Sequence, residues 1–134
     1  MCHLSSTSQE VKLFITAVTL SSISKKYNFT GMEITAIILA GGLGTRLNKT
    51  IPNLPKPMAP IGGRPFLEFQ MDYWIEQGVC RFILSVGHLK DIIINHFSKE
   101  YCGIPIEYSI EEKPLGTGGA FLKSSKGLVD PFLV

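Results

Sequence analysis

The sequence predicts an α/β fold, a mostly parallel sheet with helices flanking it. Three observations carry that expectation. From residue 34 onward, short apolar runs alternate with helix-length segments, the pattern of βαβ units. The first run, Ile-Thr-Ala-Ile-Ile-Leu at 34–39, is apolar nearly throughout instead of alternating, as a strand covered on both faces must be. Two of the runs empty into glycine-rich loops, after Leu39 and after Ile110.

Element by element, residues 34–40 read as the first strand. Residues 41–63 read as a long loop with a short helical turn around 45–48, and a loop of that length is usually functional. Pro65 suits the first turn of a helix that runs to about Gln77, with Phe66, Phe69, Tyr73 and Trp74 on one side and Gly78 as its stop. Residues 81–86 form a second strand, and 90–98 a helix with Ile93 and Phe97 facing inward. A third strand at 104–110 and a helix starting at 118–125 lead to a fourth strand at 131–134. Val134 stands inside that apolar run with no cap or polar tail, which is expected of a truncated polypeptide. Ligands of open α/β sheets bind at the carboxyl ends of the strands.

A chain of 134 residues holds one domain of ordinary size. Its formal charge of +2 is small and its basic residues are scattered, which argues against a nucleic-acid partner. Cys2, Cys80 and Cys102 are odd in number and widely spaced, so neither a disulfide framework nor a metal pattern is expected, and a reducing cytoplasm suits them. His3, His88 and His96 do not converge with the cysteines, and His88 and His96 are expected on helix or loop surfaces. Residues 1–31, rich in Ser, Thr and Lys, read as a poorly structured extension, and 32–134 as the domain proper. The apolar run at 11–20 is too short to span a bilayer. Glu10 before it and Lys25 and Lys26 after it have the wrong polarity for a signal peptide, so no membrane partner is expected.

The segment Leu39-Ala40-Gly41-Gly42-Leu43-Gly44-Thr45-Arg46-Leu47 is the most informative in the chain. Glycine N–H groups can approach an anion with no Cβ in the way. Arg46 adds a planar donor fork suited to phosphate. Lys56 sits between Pro55 and Pro57, so it is carried on a stiff loop. A glycine loop, an arginine and a rigidly mounted lysine make a triphosphate cradle. No P-loop string occurs, and Leu47 stands where the dinucleotide fingerprint needs its third glycine.

A second constellation, Glu111-Glu112-Lys113-Pro114-Leu115-Gly116-Thr117-Gly118-Gly119-Ala120, leaves the third strand and enters a helix whose free N–H groups favour polar ligand atoms. A carboxylate only accepts hydrogen bonds. Guanine offers two adjacent donors, N1–H and the 2-amino group, whereas the imide N–H of uracil or thymine is flanked by acceptors that a carboxylate repels.

With these three segments the chain resembles the sugar-1-phosphate nucleotidyltransferases, from about Met32 to Val134. Pro57-Met58-Ala59-Pro60-Ile61 and Ser85-Val86-Gly87-His88 place it nearest the heptose 1-phosphate guanylyltransferase branch, with mannose 1-phosphate guanylyltransferases and uridylyl and thymidylyl relatives further off. The resemblance implies a Rossmann-like fold of the nucleotide-diphospho-sugar transferase type, present in part. It implies that GTP and a sugar 1-phosphate are the partners, with pyrophosphate released. Gly41, Gly42, Gly44 and Thr45 would wrap the nucleotide and its phosphates. Arg46 would hold the leaving pyrophosphate, and Lys56 would bridge the two reacting phosphates. Glu111 with Gly116 would read the base, with Leu39 packed near it and Thr117 in the same loop. The resemblance also implies Mg²⁺, held by an aspartate that would follow Val134, so no metal ligand is expected among the residues present. The alternative is a nucleotide-binding remnant without catalysis, and a Rossmann oxidoreductase is disfavoured by Leu47 and the Lys56 loop.

Overall fold

Ile34–Leu39 (β1) is a central strand because its near-continuous apolar run can be buried on both sides. The computed structural model describes residues 33–42, 53–130 and 132–134. The expected extension at 1–31 and the helical turn around 45–48 therefore lie outside the described residues. After β1 come a 3₁₀ turn at Lys56–Met58 and two short strands, Pro60–Ile61 (β2) and Arg64–Pro65 (β3). The helix Phe66–Glu76 (α1) leads to Val79–Val86 (β4), and Lys90–Phe97 (α2) to Glu100–Tyr101 (β5) and Ile104–Ile110 (β6). The last elements are Gly116–Ser124 (α3) and Phe132–Leu133 (β7).

Among the described residues the main sheet runs β5-β6-β4-β1-β7. β4 and β7 pair with β1 in parallel, and β6 pairs with β4 in parallel, while β5 is antiparallel to β6. The chain thus steps outward from β1 through β4 to β6 and then returns to β1's other edge. β1 is the strand at which the order reverses, where a crevice opens at the carboxyl ends. One face of the sheet presents Ala36, Ile38, Phe82, Leu84 and Val86 to Leu67 and Met71 of α1 and Ile93 and Phe97 of α2 in a single apolar core. Residues of the other parity, Ile37 and Ile83, are buried as well. The right-handed crossover rule puts α3 on that second side, and α3 packs on β1 and β4 with Ala120 buried.

The expected strands, the helices and the mostly parallel sheet are present, with several differences. β4 starts at Val79, because Gly78, at φ +90°, closes α1 and turns the chain straight into the sheet. α3 starts at Gly116, two residues before the expected 118. The presumed loop at 41–63 contains β2 and the turn of the β2–β3 hairpin, whose Gly62 and Gly63 both take positive φ (+58° and +87°), as a two-residue turn requires, and β3 follows it. On α1, Leu67 and Met71, one turn apart, are fully buried and Trp74 packs against the same core, while Phe66 and Phe69 are exposed. Cys102 is disulfide-bonded, against the expectation from the cysteine count. Cys80 is a free thiol, and its Sγ donates to the Ile34 carbonyl at 3.4 Å.

A polar cluster fastens the hairpin to both helices of one face. Arg64 donates from Nε to Glu68 at 2.8 Å and from one terminal nitrogen to Asp72 at 2.9 Å, while its guanidinium lies 4.7 Å from the centroid of the Phe69 ring. Tyr101 donates to the other Asp72 oxygen at 2.9 Å, and His96 Nε2 lies 2.7 Å from Glu68 Oε1. Burial works against the Glu68 charge, but its bonds to His96 and Arg64 outweigh it and hold the carboxyl below its ordinary value. Burial and the Asp72 carboxylate push the Tyr101 hydroxyl well above its usual value.

Because the folded-state value of Glu68 is depressed, its contribution is full above the ordinary carboxyl value of 4.5 and is lost as pH falls through the lower folded value. Glu68→Gln is expected to lower stability by roughly 1–2 kcal/mol at pH 6. The gap to the parent chain should narrow as thermal melts are taken from pH 6 down to pH 3. A gap independent of pH would show that the carboxylate charge is not what matters.

Candidate functional site

The carboxyl ends of β1, β4 and β6 lie side by side, and each runs into a turn instead of a further pair. In register, Leu39 stands beside Ser85 and Ser85 beside Ser109. The ladder continues past the strands: the Ala40 N–H donates to the Ser85 carbonyl at 2.7 Å, and the Glu111 N–H to the Val86 carbonyl at 2.7 Å. With a two-residue period, Leu39, Gly41, Ser85 and Glu111 share the face opposite the α1–α2 core. There they border a cleft of ≈ 270 Å³ lined by Gly41, Gly87, His88, Lys90, Glu111, Glu112 and Pro114.

Glu111 is the centre of this cleft. Ser85 Oγ donates to its Oε1 at 3.0 Å and the Leu115 N–H to its Oε2 at 3.1 Å. The second bond ties the carboxylate to the residue just before α3, which explains why the helix begins early. Each oxygen keeps acceptor capacity beyond these bonds. A Cβ on Gly41 would lie 2.6 Å from Glu111 Oε1, and one on Gly87 would lie 3.1 Å from the Gly41 carbonyl. At Gly41 something must shift to admit a side chain, and at Gly87 the fit is tight, which is more than the loop's flexibility alone would ask. Past Gly87 the chain takes Leu89 through the left-handed region at φ 57°, an uncommon conformation for so bulky a residue, and so enters α2 beside the cleft.

Of the residues singled out in the sequence, Gly41 and Glu111 line the cleft. Leu39 is half-buried on the same face, at the end of β1. Gly42 follows Gly41 and is exposed. Gly116 and Thr117 open α3 and are exposed, outside the lining. Lys56 is exposed on its 3₁₀ turn and does not line the cleft. That turn is firmly seated, for Pro55 and Met58 are buried and the Met58 N–H donates to the Pro55 carbonyl at 2.8 Å. Gly44, Thr45 and Arg46 lie outside the described residues. His88 is on a loop surface as expected, yet it forms part of the cleft wall, as does Lys90. Ser85 was not foreseen, since a serine inside an apolar run carries no signal until strand register places it beside Glu111.

Among the described residues, no three or more His, Cys, Asp or Glu side chains are grouped so as to hold a metal ion. No helix among them is long and apolar enough to cross a membrane.

Comparison with known proteins agrees with this geometry. Residues 35–133 match the Nucleotidyl transferase family. The chain is 53% identical over 91 residues to a D-glycero-alpha-D-manno-heptose 1-phosphate guanylyltransferase of Campylobacter jejuni, covering 68% of this chain and 41% of that protein. It is 52% identical over 89 residues to the protein of the same name from Aneurinibacillus thermoaerophilus, covering 66% of this chain and 39% of that one. The crystal structure of HddC from Yersinia pseudotuberculosis complexed with GMP-PN superposes with a TM-score of 0.63 at 43% identity, covering 73% of this chain and 44% of HddC. The chain thus spans about two fifths of the length of these relatives. A parallel sheet with its cleft at the strand that reverses the order, a glycine-floored carboxylate in that cleft and a sequence match across nearly all the described residues agree: the chain belongs to the Nucleotidyl transferase family.

Proposed function

We propose that this chain carries the nucleotide-recognising part of an enzyme that joins GTP to a heptose- or mannose-type sugar 1-phosphate and releases pyrophosphate. Such a step serves nucleotide-sugar and surface-polysaccharide synthesis. The observation that carries the reading is Glu111, an acceptor-only group fixed at both oxygens in the cleft at the sheet's carboxyl end. Guanine presents N1–H and its 2-amino group side by side, and one carboxylate accepts both. Uracil would set its carbonyl oxygens against the same charge. The names of two relatives over 50% identical, both guanylyltransferases, support the same base.

In the reaction so proposed, an oxygen of the sugar phosphate attacks the α-phosphorus of GTP. The bond between that phosphorus and the α–β bridging oxygen breaks, and pyrophosphate leaves with the electron pair. Little covalent work falls to the protein, which positions the two phosphates and offsets their charge. Gly41, Gly42, Gly44 and Thr45 are assigned to the nucleotide and its phosphates, Leu39 and Gly116 to the base, and Thr117 to the same loop. Arg46 is assigned to the pyrophosphate and Lys56 to the charge that builds between the phosphates. The resemblance places the Mg²⁺ ligand after Val134, and the roles assigned here are those of the chain's own groups. Both substrates are multiply charged and do not pass a bilayer unaided, so we place the reaction in the cytoplasm.

Calorimetric titration of the chain with GTP and with UTP tests the base assignment. GTP is expected to bind more tightly, and Glu111→Gln to erode the preference by roughly 1–3 kcal/mol, about 10- to 100-fold. Equal affinity for the two nucleotides would overturn the assignment.

Gly41→Ala tests the floor of the site. The added methyl would meet the Glu111 carboxylate at 2.6 Å, so the carboxylate must shift. GTP affinity is expected to fall about tenfold or more, since displacement breaks at least one charge-assisted bond. Unchanged affinity would mean that GTP does not use this carboxylate.

For the cations, in an enzyme that carries this chain together with the rest of the relatives' length, Lys56→Ala is expected to lower kcat for pyrophosphate release more than it changes the KM for GTP, as befits a group that acts on transition-state charge. An unchanged kcat would make the proline-braced turn purely structural.

A further inference from the structure

We infer that Ser85 is the positioning residue that gives Glu111 its selectivity for guanine. The inference rests on the reading of Glu111 as the base-recognising group and adds to it the element that orients the carboxylate.

Ser85 is fully buried, in a strand whose other buried residues from Phe82 to Val86 are apolar. A buried hydroxyl needs a partner, and this one has it in Glu111 Oε1 at 3.0 Å. The backbone of Ser85 serves the sheet separately, its carbonyl accepting the Ala40 N–H. The hydroxyl is therefore free of structural duty in the ladder and is turned toward the cleft side.

Its effect follows from the donors available. A carboxylate only accepts, so toward Glu111 the Ser85 hydroxyl must donate, as the Leu115 N–H must. One donor comes from β4 and the other from the start of α3, and together they pin both oxygens. The terminal torsion of a glutamate is broad and shallow, so a carboxylate held at one oxygen turns readily about it. Bidentate acceptance from N1–H and the 2-amino group needs both oxygens in the plane of the base. Removing the Ser85 donor leaves Oε2 anchored on Leu115 and lets Oε1 leave that plane. Gly41 makes the arrangement possible, since a side chain there would take the space of Oε1. The hydroxyl can also accept, so it would tolerate the amide of Glu111→Gln, whose oxygen would have to stay on the Leu115 N–H. Ser85 thus allows either base-reading residue while orienting each differently.

A hydroxyl that merely satisfies the core would affect all nucleotides alike. The inference instead predicts a loss confined to the base edge that carries two donors. Binding of GTP, ITP (which lacks the 2-amino group) and UTP to the chain is measured by calorimetry for the parent, Ser85→Ala, Ser85→Cys and Glu111→Ala, with melting temperatures alongside. Ser85→Ala is expected to weaken GTP about tenfold while ITP and UTP change less than about twofold, so that the GTP/ITP ratio collapses. Ser85→Cys, similar in size and with a weak donor, should give an intermediate ratio. An equal loss for all three nucleotides, or an unchanged GTP/ITP ratio in Ser85→Ala while Glu111→Ala abolishes it, would overturn the positioning role and leave the base assignment standing. An unchanged ratio in Glu111→Ala would overturn the base assignment and the positioning role with it.

Discussion

The cleft exists because a carboxylate is held where three parallel strands end. Glu111 accepts from Ser85 Oγ on one side and from the Leu115 N–H on the other, and it lies so close over Gly41 that no Cβ fits there. Each neighbouring feature answers to this contact. Gly87 packs its backbone tightly against the Gly41 carbonyl, and Leu115, just before α3, turns its N–H back to the carboxylate at the strand end. Lys123, about two turns into that helix, reaches back with its ammonium to the Ile110 carbonyl and ties α3 to the same strand end.

The opposite face of the sheet is organised by charge at its margin and by apolar packing within. Arg64 bridges Glu68 and Asp72, Tyr101 closes the ring onto Asp72, and His96 adds to Glu68, so the hairpin, α1, α2 and β5 share one set of hydrogen bonds. An exposed pair contributes little alone, but a network that uses both oxygens of each carboxylate fixes mutual orientation. The turn that carries Lys56 is seated on the same assembly. The Phe66 N–H donates to the Ala59 carbonyl at 3.0 Å, and Met58 joins the core beneath. Lys56 is therefore exposed on a turn that is held firmly by its backbone and by the buried Met58.

Much of this could be read from residue order, and the parts that could not share a cause. Long apolar runs such as 34–39 and 104–110 announce strands because burial on two faces excludes polar residues. Gly78 and the proline at 65 marked the ends of α1 because their backbone limits are local. The two-residue strands β2, β3 and β5 are too short to show a period, although Gly62-Gly63 between Ile61 and Arg64 was a usable hairpin signal. Which side of α1 is buried depended on what packs against it: two aromatics remained outside because Arg64 covers one ring and Leu67 and Met71 meet the sheet. In the site, Glu111 and Gly41 were legible from motif and chemistry. Ser85, His88 and Lys90 became visible only when strand register and the turn after β4 were known, since neither property is written in neighbouring residues.

The Ser85–Glu111 contact also bears on how the chain folds. Its two residues are 26 positions apart, and the strands they end pair in parallel, so no hairpin can bring them together. The β1–β4 pairing that sets Gly41 beside Gly87 must likewise await the whole α1 crossover. Local helices and the Glu111–Leu115 turn can form early, but each of these two long-range contacts waits on its own loop closure. The complete cleft is consequently a product of both crossovers, and it is lost as soon as either strand pairing beside β4 opens.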